Sequence, residues 1–97
     1  MKVFAVGNVP TLPTPEQREA ILPQEVPHTL RLYLDGVIEQ FWFRTDRPGV
    51  FFLMDVESVD QARATVEALP LAQAGVMTFE LTPVGPLAPL ARLLPAE

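Results

Sequence analysis

Apolar and polar positions change their period several times along this chain, and each change marks an element. Residues 2–7 (KVFAVG) place Val3 and Ala5 on one side and Phe4 and Val6 on the other. Both sides are apolar, which predicts a strand inside a sheet. Two prolines in residues 8–13 predict a loop, and Thr14-Pro15-Glu16-Gln17 then reads as a helix start, with threonine as N-cap, proline at the first helical position and glutamine three residues after the cap. Apolar spacing continues to Leu34, but Pro23 and Pro27 interrupt it. An interior proline removes a hydrogen bond and costs on the order of 3 kcal/mol. The prediction is a break near Leu22-Pro23 and a second helix over about 24–34, with Val26, Leu30, Tyr33 and Leu34 as its buried stripe. Asp35-Gly36 closes it by a left-handed turn.

The centre of the chain carries two runs of β-branched and aromatic residues, 37–44 (VIEQFWFR) and 50–56 (VFFLMDV), separated by Thr45-Asp46-Arg47-Pro48-Gly49. These predict a hairpin, with Pro48 and Gly49 as the central pair of a type II turn. Strict alternation puts Ile38, Gln40, Trp42 and Arg44 on one face of the first strand and Val37, Glu39, Phe41 and Phe43 on the other. The second strand is apolar on nearly both faces, interrupted by Asp55, and belongs inside the sheet. Ser58-Val59-Asp60-Gln61 is a capping-box pattern, and Val59, Ala62, Val66 and Leu69 follow at helical spacing until Leu69-Pro70-Leu71 stops the helix. After a short loop, residues 76–84 (VMTFELTPV) form the last strand, with Met77, Phe79 and Leu81 facing one way; Pro83 predicts an edge position. The tail repeats proline and leucine, and Leu87, Leu90, Leu93 and Leu94 predict a helical turn packed on the body or on a neighbouring subunit.

The order β-α-β-β-α-β predicts a single α+β domain over 1–97 with the ferredoxin-like fold: a four-stranded antiparallel sheet with both helices on one face. The other face is left bare. Composition sharpens this, because 48% of the 97 residues are hydrophobic. That is more apolar surface than one small core takes up, so a second copy is the simplest cover for the bare face, with any pocket between the copies. The expected partner is the chain itself, as a homodimer or larger homo-oligomer.

Charge excludes more than it identifies. The net charge is −5 and the seven basic residues are scattered, which argues against nucleic acid as a partner. There is no cysteine and one histidine, so thiolate catalysis, disulfides and a multi-histidine metal site within one chain are excluded, and no metal is expected. No run of about 18 apolar residues is present, and the N-terminal apolar stretch is too short for a signal-peptide core. No membrane association is expected, and a cytoplasmic location is.

The residues from Gly36 through Trp42, Phe52-Leu53-Met54-Asp55-Val56, Ser58-Val59, Leu69-Pro70-Leu71 and Phe79-Glu80-Leu81 together resemble the muconolactone isomerases and the larger set of uncharacterised bacterial proteins similar to them. The resemblance implies a dimeric α+β barrel in which two ferredoxin-like sheets face each other. It also implies a cofactor-independent isomerase that moves a double bond in an unsaturated lactone or similar cyclic carbon acid by proton transfer. In that family an acidic residue on the first helix corresponds to Glu25. The chain departs from the family pattern at Val26, where a lysine follows the acid, at Glu39 and Gln40, where basic residues stand, and at Val84-Gly85-Pro86-Leu87, where a His-Pro stands.

Proton transfer of this kind needs a base beside a carbon acid and a group that steadies the resulting enolate. Glu25 and His28 are three apart on a helix and share a face, so one can act as base and the other as proton carrier. The competing reading is a solvated acid and imidazole near a proline-bent helix start. Trp42, Arg44 and Gln40 form the candidate substrate-binding set, the indole packing on a ring and the guanidinium holding a carboxylate. Trp42 as an interface residue, with Arg44 as ion-pair partner of Asp46, is the alternative. Asp55, in a central strand, reads as a structural acid. An isomerase with Glu25 and His28 as its catalytic pair and no cofactor, and a non-catalytic dimeric module binding a small apolar or lactone-like ligand, both remain open on these residues.

Overall fold

The computed structural model describes residues 1–87 together with 92 and 94. Its elements run β1 (Lys2–Asn8), α1 (Pro15–Leu34), β2 (Ile38–Phe43), β3 (Gly49–Asp55), α2 (Val59–Glu67), α3 (Pro70–Gln73) and β4 (Thr78–Val84). The four strands form one antiparallel sheet in the order β2-β3-β1-β4. This is the α+β ferredoxin-like arrangement that the order of apolar patterns predicts. β1 and β3, the two runs apolar on both faces, are the central strands, and β4, which carries Pro83, is an edge.

Register decides which side chains meet. Ala5 lies between Phe52 and Leu81, Gly7 between Val50 and Phe79, and Val3 between Met54 and Pro83, all on the helix side. Val3, Ala5, Ile38 and Met54 are fully buried there beneath Ala62, Val66 and Leu69, which are the predicted stripe of α2 and its following turn. Gly7 is needed for close approach: a Cβ at this position would stand 2.7 Å from Met77 Sδ and 2.8 Å from Val50 Cγ2.

Local end signals hold nearly as read. Thr14 Oγ1 accepts from the Gln17 N–H at 3.2 Å while Gln17 Oε1 accepts from the Thr14 N–H at 2.9 Å, a complete capping box. Ser58 Oγ accepts from the Gln61 N–H at 3.0 Å, but Gln61 reaches past the cap to the Glu57 N–H. Gly36, at φ +81°, ends α1: its N–H donates to the Tyr33 carbonyl and that of Val37 to Leu32.

Four expectations give way to tertiary packing. First, α1 is one 20-residue helix that runs through Pro23 and Pro27. Both prolines and Glu19 are exposed, so the carbonyls of Glu19 and Pro23, which lose their N–H partners, face solvent that can take their place. Second, Val26, Leu30, Tyr33 and Leu34 are not buried, Leu34 being 81% exposed. The inward side of α1 consists of Ile21, Glu25, His28, Thr29 and Leu32. Third, an irregularity between Ile38 and Gln40 breaks the alternation of β2. Ile38 thereby joins Phe41 and Phe43 on the helix side, opposite Met54, Phe52 and Val50, while Gln40 and Trp42 lie on the outer face opposite Leu53 and Phe51. Fourth, Gly49 has φ +156° and opens β3, with its carbonyl accepting from the Arg44 N–H at 3.0 Å. A type II turn would require about +80° there.

α3 was not anticipated, and it shortens the last strand to Thr78–Val84, leaving Val76 and Met77 buried before it. The predicted leucine turn of the tail falls largely outside the described residues; Leu87 and Leu94, which are described, are exposed. No helix among the described residues is long and apolar enough to cross a membrane.

Candidate functional site

The inward side of α1 is polar where the sheet opposite it is most aromatic. At that level α1 presents Glu25 and Thr29, and β2 and β3 present Phe41, Val50 and Phe52. The short polar side chains do not fill the gap, and a cavity of about 520 Å³ remains between helix and sheet. Leu22 and Leu30 flank it on the helix, Phe43 on β2, and Leu71 and Met77 behind. It lies within one chain.

Glu25 is 7% exposed and is the one buried charged side chain among the described residues. Its Oε2 accepts the Leu71 N–H at 3.1 Å, supplied by the start of α3 after Pro70. No hydrogen bond to its other oxygen, Oε1, is formed within the described residues, and Glu25 lines the cavity. Burial pushes the Glu25 carboxyl above the ordinary carboxylate range; the Leu71 N–H and the nearby His28 oppose this only in part. One oxygen is thus anchored, and the carboxyl borders the cavity.

The remaining predicted residues are dispersed around this point. His28 is half-buried one turn along α1, close enough to act electrostatically on Glu25, but it does not line the cavity. Gln40 lies on the outer face and is exposed. Trp42 and Arg44 border the cavity from the end of β2. The Arg44 guanidinium, however, turns to the outer face. Its Nε and Nη2 donate to the two carboxylate oxygens of Asp46 at 3.0 and 2.8 Å, its Nη1 donates to Asn8 Oδ1 at 3.0 Å, and its carbon centre stands 5.2 Å from the Phe51 ring centroid. None of Asn8, Asp46 and Phe51 lines the cavity. The Arg44 stem lies beside Gly49, where an added Cβ would stand 2.7 Å from Arg44 Cδ. The guanidinium holds Asp46 down to about 2.

Sequence reasoning did not single out Thr29 or the Leu71 N–H. Thr29 is four residues after Glu25 and so shares its helical face, a spacing visible in the sequence. The Leu71 contact depends on α3 docking against α1 and has no local signal.

No family model matches the chain, and no curated protein matches it in sequence. Solved structures do. The crystal structure of muconolactone isomerase superposes with a TM-score of 0.72 over 87% of this chain and 88% of that one, at 22% identity. The 5-chloro-2-hydroxyhydroquinone dehydrochlorinase of Burkholderia phenoliruptrix, in complex with 2,5-dihydroxybenzoquinone, superposes with a TM-score of 0.59 over 86% of this chain and 93% of that one, at 19% identity. The chain has the muconolactone isomerase fold, and the resemblance read from its sequence stands at that level.

Proposed function

We propose that a chain with the fold of muconolactone isomerase uses the cavity beneath α1 to move a proton on a small cyclic carbon acid, such as an unsaturated lactone, without a cofactor. The observation that supports this most directly is Glu25, a buried carboxyl with one oxygen anchored by the Leu71 N–H and the other open to an apolar cavity. A carboxylate destabilised by burial is a stronger base than one in water, which suits removal of a weakly acidic C–H proton. In this reading Glu25 Oε1 takes the proton from the carbon beside a carbonyl, and the C–H electron pair moves into the enolate. Glu25 then returns the proton to the far end of the conjugated system, so the double bond shifts and nothing is consumed. His28 serves as auxiliary proton carrier, the Thr29 hydroxyl donates to the enolate oxygen, and Phe41 and Phe52 form the sheet-side wall, with Trp42 and Arg44 bordering the cavity at the end of β2.

Deuterium incorporation from D2O into a panel of cyclic unsaturated ketones and lactones tests this. Exchange by the native chain that is lost in Glu25→Gln supports it; equal exchange by both removes Glu25 as the base. A second reading, a non-catalytic small-ligand module, draws on the scarcity of donors in the cavity, where Thr29 is the one side-chain hydroxyl. Binding without exchange would favour that module.

The proposal includes self-association through the outer sheet face. Phe4, Val6, Phe51 and Leu53 are half-buried at its centre, with the linked charges of Lys2, Glu39 and Asp55 at one end and Arg44 and Asp46 at the other. An apolar centre within a polar rim is the anatomy of an interface. Sedimentation at micromolar concentration should give a species larger than one chain, and a monomer would remove this part.

A further inference from the structure

We infer that the cavity beneath α1 selects an uncharged, flat, ring-shaped ligand bearing a hydroxyl, and rejects the same ring bearing a carboxylate. The inference rests on the reading of the cavity as a ligand site and specifies the chemical class it takes. Three observations carry it. The one ionisable side-chain group facing the interior is a carboxyl, Glu25, whose open oxygen can accept a hydrogen bond from a ligand hydroxyl. The other charged residue on the lining, Arg44, spends its guanidinium on Asp46, Asn8 and the Phe51 ring, all outside the cavity, and so supplies no counter-ion within it. At the outer flank of α1, Arg18 is accompanied by Glu19, which leaves no net positive charge at that approach.

The walls complete the selection. Phe41, Phe43 and Phe52 with Leu22, Leu30 and Met77 offer apolar and aromatic surface to a flat ring. An anionic ligand would give up part of its hydration against these walls and meet a second negative charge at Glu25. The net charge of −5 adds a repulsion that acts before contact. A neutral hydroxyl avoids both costs and gives Glu25 a charge-assisted hydrogen bond.

The test compares 2-naphthol with 2-naphthoate, which share a ring and differ in the group under question. Binding to the full chain at pH 8 is measured by calorimetry, and the Met77 methyl NMR signal reports whether the ligand occupies the cavity. The expected result is that 2-naphthol binds at least about tenfold more tightly than 2-naphthoate and shifts the Met77 signal. In Glu25→Gln the preference should shrink, through gained affinity for 2-naphthoate, with Glu25→Asp keeping it. Equal or tighter binding of 2-naphthoate to the native chain overturns the inference, as does the absence of any Met77 shift with either probe. Deuterium exchange separates this from the proposed reaction. Selection of 2-naphthol without exchange on any substrate leaves the ligand class standing and the isomerase reading refuted. Glu25-dependent exchange on a carboxylate-bearing ring, with 2-naphthoate preferred, does the reverse.

Discussion

The two halves of the layer between helices and sheet are built to different standards. Under α2, which packs close to β4, the small and branched residues Ala62 and Val66 join Val3, Ala5, Met54 and Leu69 in one cluster, all of them sealed from solvent. Under α1, aromatic residues of β2 and β3 face Glu25 and Thr29, volume is left over, and Phe43 stays 83% exposed at its margin. Close packing by small and branched side chains holds the fold in one half. In the other half a buried acid, raised in pKa by its burial, borders space that the packing leaves unfilled. The contrast teaches that the buried acid is housed by an omission in packing, which the well-filled half makes tolerable.

The most severe way to break the contrast is Glu25→Gln, which keeps shape and an acceptor for the Leu71 N–H but removes the proposed base. Exchange should fall by about 10²- to 10⁴-fold while the circular dichroism spectrum is retained. The next tests packing directly. Leu69→Ala, in the sealed half, should cost about 2–5 kcal/mol in chemical denaturation, whereas Phe43→Ala, at the open margin, should change stability by about 0.5 kcal/mol or less. Equal effects would mean that the halves do not differ as described.

A pH series sharpens the same point. Burial raises the Glu25 carboxyl above its unfolded value, so between the two values the native chain holds a proton that the unfolded chain has released. Stability should therefore fall as pH rises through that window and level off above it, and Glu25→Gln should remove this part of the slope. The smallest effect concerns the outer face. In Arg44→Met, the Asp46 resonance should titrate upward from about 2 towards the ordinary carboxylate range, while the Glu25 titration stays unchanged. A coupled shift of Glu25 would place the guanidinium nearer the cavity than its bonds to Asp46 and Asn8 indicate.

Much of this molecule was legible in its amino-acid order, for a physical reason: strand periodicity, capping and helix-stopping act over a few residues. The order of elements, the central places of β1 and β3, the edge place of β4, the cap at Thr14 and the α2 stripe of Ala62 and Val66 all rest on such local rules. The continuity of α1 does not, because whether Pro23 and Pro27 break a helix depends on whether the freed carbonyls meet solvent. Nor does the face occupied by Trp42, since one irregularity at Ile38–Gln40 inverts the side chains that follow it. Glu25 and His28 share a helical face in any reading, but the side of α1 that turns inward is settled only when the whole helix docks on the sheet. That docking buries an acid, exposes Val26, Leu30 and Leu34, and sets the cavity within a single chain.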